Sequence, residues 1–495
     1  MHCTTLPLSA LEPWSRLNDV TYLDCQTRKF EDARGKGLAT LKKLSSQNIS
    51  ERPTLLIIPH DLVLSAEAVE EFAKVDQHLK ELLTAAGGQA SLKTGLRRDI
   101  MLFLLMQITC HPDGQCVGVR NPWTEYVKFL PIHIPVPTMW SEEESMMLTG
   151  TSLQPALVAK KSALLLEFEE LQDRTSSIAW CRKFWWENHA LTLEDWTLVD
   201  AWFRSRSLEL PKSGEAMVPC LDMANHSVAA NTYYEQFSSD NSVTLLLNPD
   251  VDVEAGSELT ISYGYAKSNA EMLFSYGFID ESDKTAQTLV LPLETISEDP
   301  LAKAKVIAFK GQPVVRITAK QDDITWESKF LYFMILNEED GLEFKVLQDV
   351  DGSRSLRVFW CGKDVTDVTD TFQSLIKSHE LEDIFTLRVL TLLDDRVRQQ
   401  IEHLDDTVTA VRELSSVVEI DPNVEKNALK LRASEALILQ KAADNLQLQA
   451  SYSRAGKKEL LRSEVVIGYL GSNIDDDETD QHETNDNKQI EDDFS

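Results

Sequence analysis

Short β-prone runs occur in two places along the chain, and a long helical stretch, about residues 81–200, lies between them. TLLIIP (54–59) is a continuous apolar run ended by a proline, the pattern of a short buried strand after a tight turn. Comparable runs return in MVPCLDMANHS, VTLLLN and SELTISYG, between residues 217 and 264. A strand or two cannot stand alone in water. Either each group belongs to its own independently folded domain, or one β-core closes around the helical stretch. The pattern alone leaves both open.

The helical signals are strong. AEAVEEFAKVDQHLKELL (66–83) predicts one helix stopped by Gly87 and Gly88. LRRDIMLFLLMQI predicts a buried helix, and ALVAKKSALLLEFEELQDR an amphipathic one. Ser141 followed by Glu144 has the spacing of a capping box. WTEYVKFLPIHIPVPTMW, with Pro131, Pro135 and Pro137, is expected to be extended. Six of the ten tryptophans fall between 123 and 196, and their simplest role is core packing. Beyond 285, EFKVLQDVDGSRSLRVFW reads as a hairpin about Asp351-Gly352. Helices are then expected over 381–402, 406–417 and 423–449, the last with Leu429, Ala433, Ala436, Leu437 and Leu439 on its apolar face.

Charge narrows the function. With 49 Lys+Arg against 80 Asp+Glu, the net charge is −31, which argues against nucleic acid and anionic membrane surfaces and suits a basic protein partner. Ten acids and one lysine lie in 475–495, so 471–495 is expected to be a disordered acidic tail. The longest apolar run, Ile100–Met106, is far short of the ~20 residues of a membrane span. Seven scattered cysteines without a CxxC pair read as reduced thiols rather than a zinc site. An intracellular protein is expected, with cytoplasm and nucleus both open.

Three segments stand out for chemistry. ARGKGLA (33–39) carries Gly35 and Gly37, which let backbone approach a ligand closely or simply make a turn. RSRS (204–207) and VPCLDMANHS (218–227) place Arg206 before an apolar run that ends in Asn225-His226, either a polar site or a buried turn. ELTISYGYAKSNAEMLFSYGFID (258–280) holds two Tyr-Gly steps, at Tyr263 and Tyr276, around a capped helix.

Together these segments resemble SET-domain protein methyltransferases. The likeness is to the subgroup with a helical insertion in the SET domain and a helical substrate-binding domain after it, as in the Rubisco large-subunit lysine methyltransferase. RGKGLA matches its G-x-G motif, LDMANHS its D-x-x-N-H-S motif, and ISYG…KSNAEMLFSYGF its catalytic-tyrosine segment. The resemblance implies an α+β fold. A SET β-core over 20–285, with an insertion at about 81–200, is followed by a mainly helical domain over 286–470. It also implies S-adenosylmethionine as methyl donor and no metal.

By the same resemblance, Arg34, Gly35, Lys36 and Gly37 would contact the donor through backbone, and Arg206 would meet its carboxylate. Asn225 and His226 would bind its amino-acid and adenine ends, and Phe278 would pack on the adenine. Tyr263 would be the catalytic tyrosine and Tyr276 would line the acceptor channel. Asp222, Tyr233 and Tyr234 would lie on the substrate side. The acceptor expected is a lysine of a non-histone protein, with a protein histidine as the alternative. A non-catalytic recognition module is the third reading, and the intact Asn225, His226 and Tyr263 speak against it. Oligomeric state is not legible in the sequence.

Overall fold

The computed structural model describes residues 5–30, 35–46, 53–86, 92–109, 117–264, 267–280, 287–293, 299–320, 323–348, 354–377, 379–448 and 460–469. Arg34, the Asp351-Gly352 turn and the acidic tail lie outside the described residues. The chain divides into two compact units. One comprises residues 1–146, 153–283 and 420–427, the other 147–152, 284–419 and 428–495.

In the first unit, both main sheets take strands from either side of the helical stretch. One runs in the order Thr21–Tyr22, Thr54–Ile58, Val243–Leu247, Thr232–Gln236. Leu56 lies opposite Leu245 in an antiparallel pair. Every residue of Val243–Leu247 is buried, which accounts for its unbroken apolar run. The other sheet runs Cys25–Lys29, Lys36–Thr40, Glu258–Ile261, Asn225–His226. Its last pair is parallel, with Thr260 opposite Asn225 and Ile261 opposite His226. One β-core therefore closes around the inserted helices.

Those helices, among them Leu92–Ile108, Leu153–Thr175 and Leu193–Arg206, pack into the same apolar core. Trp123, Trp185, Trp196 and Trp202 are fully buried in it, so these tryptophans are packing residues. The Ser141 capping box is present, with Ser141 N–H donating to Glu144 at 3.0 Å and Glu144 N–H to Ser141 Oγ at 3.1 Å.

Two local expectations need correction here. The helix expected over 66–83 is two helices, Ala66–Val75 and Gln77–Ala86. They break at Asp76, whose carboxylate accepts the N–H groups of His78 and Leu79 and so starts the second helix. The stretch 123–140 is only partly extended. Pro122–Tyr126 is helical, with Asn121 as cap and the proline at the first helical position, where its missing N–H costs nothing.

The second unit has its own core. It contains two three-stranded sheets, Gln287–Pro292 with Val314–Lys320 and Asp323–Glu327, and Leu342–Gln348 with Arg354–Trp360 and Lys363–Asp364. Leu342–Gln348 and Arg354–Trp360 pair antiparallel, with Gln348 opposite Arg354. The first of these sheets escaped the sequence reading. Helix 382–417 is continuous, Glu382–Val417, because no Gly or Pro interrupts it near 403–405. In the following helix, Pro422–Leu448, the apolar face is turned from the one expected. Leu431, Ile438, Leu439 and Ala442 are buried, whereas Leu429 and Leu437 are 43% and 53% exposed.

The same helix carries a buried carboxyl. Ser152 N–H and Oγ–H donate to the two oxygens of Glu435 at 2.9 and 2.5 Å. Burial raises this carboxyl to about 7, against the opposing pull of Ser152 and Arg432. Among the described residues no helix is long and apolar enough to cross a membrane. Nor does any group of His, Cys, Asp and Glu among them have the arrangement of a metal site.

Candidate functional site

The site lies in the first unit, where the parallel pair of Asn225–His226 and Glu258–Ile261 ends. Tyr263 leaves this strand end and turns its ring beside His226, with centroids 5.1 Å apart. The Tyr263 N–H donates to His226 Nδ1 at 3.1 Å, so that nitrogen is the unprotonated one. The other nitrogen, Nε2, points towards Asp280 Oδ2 at 3.8 Å. The Tyr263 hydroxyl donates to the Ala224 carbonyl at 2.9 Å. Burial pushes this phenol well above its usual value, against a lowering pull from Arg206, and Tyr276 adds to the rise.

The helix Asn269–Tyr276 brings in the second tyrosine. Ser268 caps it and Glu271 answers from the third position, with bonds of 3.1 and 2.7 Å. The Tyr276 ring lies 4.5 Å from that of Tyr263, and its hydroxyl donates to the Tyr263 carbonyl at 3.4 Å. Phe278 follows, 6.1 Å from the His226 ring and 6.4 Å from the Tyr276 ring.

The glycine-containing segment meets the Asn225 side chain. Asn225 Nδ2 donates to the Lys36 carbonyl at 3.3 Å and to Glu258 Oε1 at 2.7 Å. A Cβ on Gly37 would fall 2.8 Å from that nitrogen and 3.0 Å from Glu258 Oε1, so only glycine permits this approach. Lys36 turns its ammonium to the Phe129 carbonyl at 3.0 Å; burial lowers its affinity for the proton and the nearby Arg206 lowers it further. Gly35 precedes the strand and accepts from Phe30 N–H at 2.7 Å.

Arg206 ends the helix Leu193–Arg206 and reaches the same region. Its Nη1 donates to the Asp222 carbonyl at 2.9 Å and to Asp222 Oδ2 at 3.2 Å, while its buried Nε has no partner. Asp222 is expected on the substrate side, but only 1% of its side chain is exposed and its carboxylate is committed to Arg206 and the Tyr126 hydroxyl. It acts as a support beneath Arg206. Burial raises its carboxyl, and Arg206 and Tyr126 offset part of that rise.

Arg206, Asp222, Tyr234, Tyr263 and Tyr276 are among the residues that line a cavity of about 670 Å³, whereas Gly35, Lys36, Gly37, Asn225, His226 and Phe278 are not part of that lining. Tyr233 precedes Tyr234 on the same strand and is not part of the lining; alternation along a strand sends the two side chains to opposite faces. A second wall is formed by Arg97, Lys160 and Arg204 around the fully buried Asp200. Arg97 and Lys160 donate to Asp200 Oδ1 at 2.5 and 2.8 Å. Burial alone would raise the Asp200 carboxyl, yet Lys160, Arg204 and Arg97 together hold it below its usual value.

The sequence reading missed Glu258, Asp280, Tyr126 and the Asp200 cluster. Only Asp200 and Arg204 carry a local signal, an acid and a base four residues apart on one helix.

No protein-family model matches the chain. Among curated proteins it is similar to SET domain-containing protein 8 of Schizosaccharomyces pombe. The two are 28% identical over 444 residues, 89% of this chain and 93% of that protein. It is similar to the chloroplastic ribulose-1,5-bisphosphate carboxylase/oxygenase large-subunit N-methyltransferase of Pisum sativum, 26% identical over 282 residues, 55% of this chain and about half (51%) of that protein. It is also similar to the actin-histidine N-methyltransferase of Mus musculus, 22% identical over 476 residues, 91% of this chain and 70% of that protein. Among solved structures, that of Rubisco LSMT bound to AdoMet superposes with a TM-score of 0.60 at 19% identity, covering 95% of this chain and all of that one. The SET domain of LSMT bound to lysine and AdoHcy gives the same TM-score and identity over 95% and 99% of the two chains.

Proposed function

We propose that the chain is a SET-domain protein of the Rubisco large-subunit-methyltransferase-like group and that it transfers methyl from S-adenosylmethionine to a lysine side chain of a protein. The observation that carries the reading is the convergence on Tyr263. His226 accepts from the Tyr263 N–H, the neighbouring Asn225 donates to the Lys36 carbonyl beside Gly37, and the Tyr276 ring lies 4.5 Å from that of Tyr263.

The residues present suit the donor. Arg206 offers a buried, unpartnered Nε–H to a carboxylate. Asn225 spends its two amide hydrogens on Lys36 and Glu258, and so presents its oxygen to an ammonium. The Lys36–Gly37 backbone approaches closely enough to line an elongated ligand, and Phe278 with His226 offers an aromatic surface for a purine. When bound, S-adenosylmethionine supplies a methyl group made electrophilic by its sulfonium.

The chain's own residues do the rest by position. The Tyr263 phenol keeps its proton at neutral pH, so it orients rather than removes protons. Its oxygen and the Ala224 carbonyl it bonds form a polar spot beside which a polarised methyl can rest through C–H···O contacts. Tyr276 narrows the space next to it. An acceptor amine that comes to rest against the Tyr263 and Tyr276 rings loses hydration there, which favours its neutral, nucleophilic form. The Asp222 carboxylate in the cavity lining is held by Arg206 and Tyr126, so desolvation and alignment carry the reaction without a dedicated base.

The acidic chain, at −31, favours a basic protein as acceptor. A histidine acceptor is the competing outcome. Incubating a cell extract with labelled donor and analysing the hydrolysed product separates the two: methyl-lysine supports the proposal and methyl-histidine replaces it. Tyr263→Phe keeps the ring and removes the hydroxyl. It should lower turnover at least ~tenfold, or ~1.4 kcal/mol in the barrier, while donor affinity changes little. A folded Tyr263→Phe protein with wild-type turnover would falsify the assignment.

A further inference from the structure

Lys267 lies in the cavity lining together with Tyr263 and Tyr276. Its ammonium sits over the Tyr276 ring, 5.3 Å from the centroid, and that ring is 4.5 Å from Tyr263. Gly264, the residue after the catalytic tyrosine, makes room for it. A Cβ at Gly264 would come within 2.6 Å of Lys267 Cε and 3.5 Å of Cδ. The aliphatic stem therefore runs across the backbone of Gly264 and delivers the ammonium to the aromatic ledge. Among the described residues no carboxylate pairs with it. Lys160, which also lines this cavity, differs in this respect, since it is fixed on Asp200.

Lys267 is thus a half-buried lysine held by a cation–π contact, with no salt bridge among the described residues, on the ring that lies beside Tyr263. Four rotatable bonds let Nζ swing from Tyr276 towards the Tyr263 hydroxyl without moving the backbone. We propose that Lys267 is itself a methyl acceptor, modified within its own molecule when no substrate protein fills the channel. This rests on the methyl-transfer reading given above. The ammonium first gives a proton to solvent. The Nζ lone pair then attacks the methyl carbon of S-adenosylmethionine, the N–C bond forming as the C–S bond breaks. S-adenosylhomocysteine leaves with the electron pair of that bond, and Lys267 becomes an N-methyl-lysine. Tethering supplies the high effective concentration that a free substrate lacks.

The test uses the full chain. The peptide containing Lys267 is mapped by mass spectrometry in the protein as isolated and after incubation with methyl-labelled S-adenosylmethionine at several protein concentrations. Donor binding is followed in parallel by calorimetry. The expected result is methyl-Lys267 that accumulates at a rate independent of protein concentration and falls at least ~tenfold in Tyr263→Phe. Lys267→Arg and Lys267→Gln should each remove the mark while keeping the wild-type melting temperature and donor affinity. Donor binding with an unmodified Lys267, both as isolated and after incubation, overturns the inference and leaves the methyltransferase reading intact. So does a mark confined to other lysines, or one whose rate rises with protein concentration. Absence of donor binding overturns both.

Discussion

Replacing Asp222 by alanine removes the carboxylate that holds Arg206. The pair is buried on one side and nearly so on the other, with 1% of the Asp222 side chain and 20% of the Arg206 side chain exposed. Deleting one partner of a buried pair costs about 3–5 kcal/mol, because a charge is left without compensation. For a unit of this size that is a fall in melting temperature of roughly 10 °C. The reverse deletion, Arg206→Met, should cost less. Burial already biases the Asp222 carboxyl towards its neutral form, so it can take up a proton when Arg206 is gone, whereas a guanidinium cannot shed one. The double variant should be more stable than the sum of the single effects predicts, by about 1–3 kcal/mol. Urea denaturation at neutral pH, with the slope checked for constancy, measures all four corners of the cycle. Donor affinity should fall in Asp222→Ala, since Arg206 loses its orientation. Additivity within about 0.5 kcal/mol, or a wild-type melting temperature for Asp222→Ala, would refute the reasoning.

Gly37→Ala pushes a methyl group into Asn225 and Glu258, an overpacking cost of about 1–3 kcal/mol, and should weaken donor binding by tenfold or so in calorimetry; unchanged affinity would move the donor away from this strand. In the second unit, the folded-state carboxyl of Glu435 lies near 7, above its unfolded value, so the folded chain holds the extra proton between about pH 4.5 and 7. Stability should therefore fall as pH rises through that window, by about 3 kcal/mol in all, and level off above it. Glu435→Gln should flatten this component in denaturation curves taken from pH 5 to 8, and an unchanged slope would show that the group titrates normally.

What could be read in advance was whatever a few neighbouring residues determine. The Ser268–Glu271 cap, the apolar run at 243–247 and the paired motifs about Asn225 and Tyr263 each announce themselves within ten residues. Likeness to a known family then joined them, which spacing alone did not. Asp222 was misplaced because its environment comes from Tyr126, 96 residues away, and nothing near either residue marks the contact. Asp76 hid a helix break because a carboxylate that caps the next helix looks, in a periodic pattern, like one more polar position. In Pro422–Leu448 tertiary packing, not composition, decides which stripe is covered, so Leu429 and Leu437 remain outside. The described end of the Leu342–Trp360 hairpin matched its local signal, whereas the sheet over 287–327 has connections with no comparable turn signature.

The way both sheets recruit strands across the insertion has a consequence for biosynthesis. Lys36–Thr40 leaves the ribosome more than two hundred residues before its partner Glu258–Ile261. At about 5–20 residues per second, that edge waits on the order of ten to forty seconds for its neighbour. Thr54–Ile58 waits nearly as long for Val243–Leu247, with an apolar face and open backbone groups in the meantime. Nascent chains ending before residue 261 should therefore be the aggregation-prone species, bound by chaperones and cleared by proteases. Expression yield should respond more to translation speed through the inserted helices than to the stability of the finished protein.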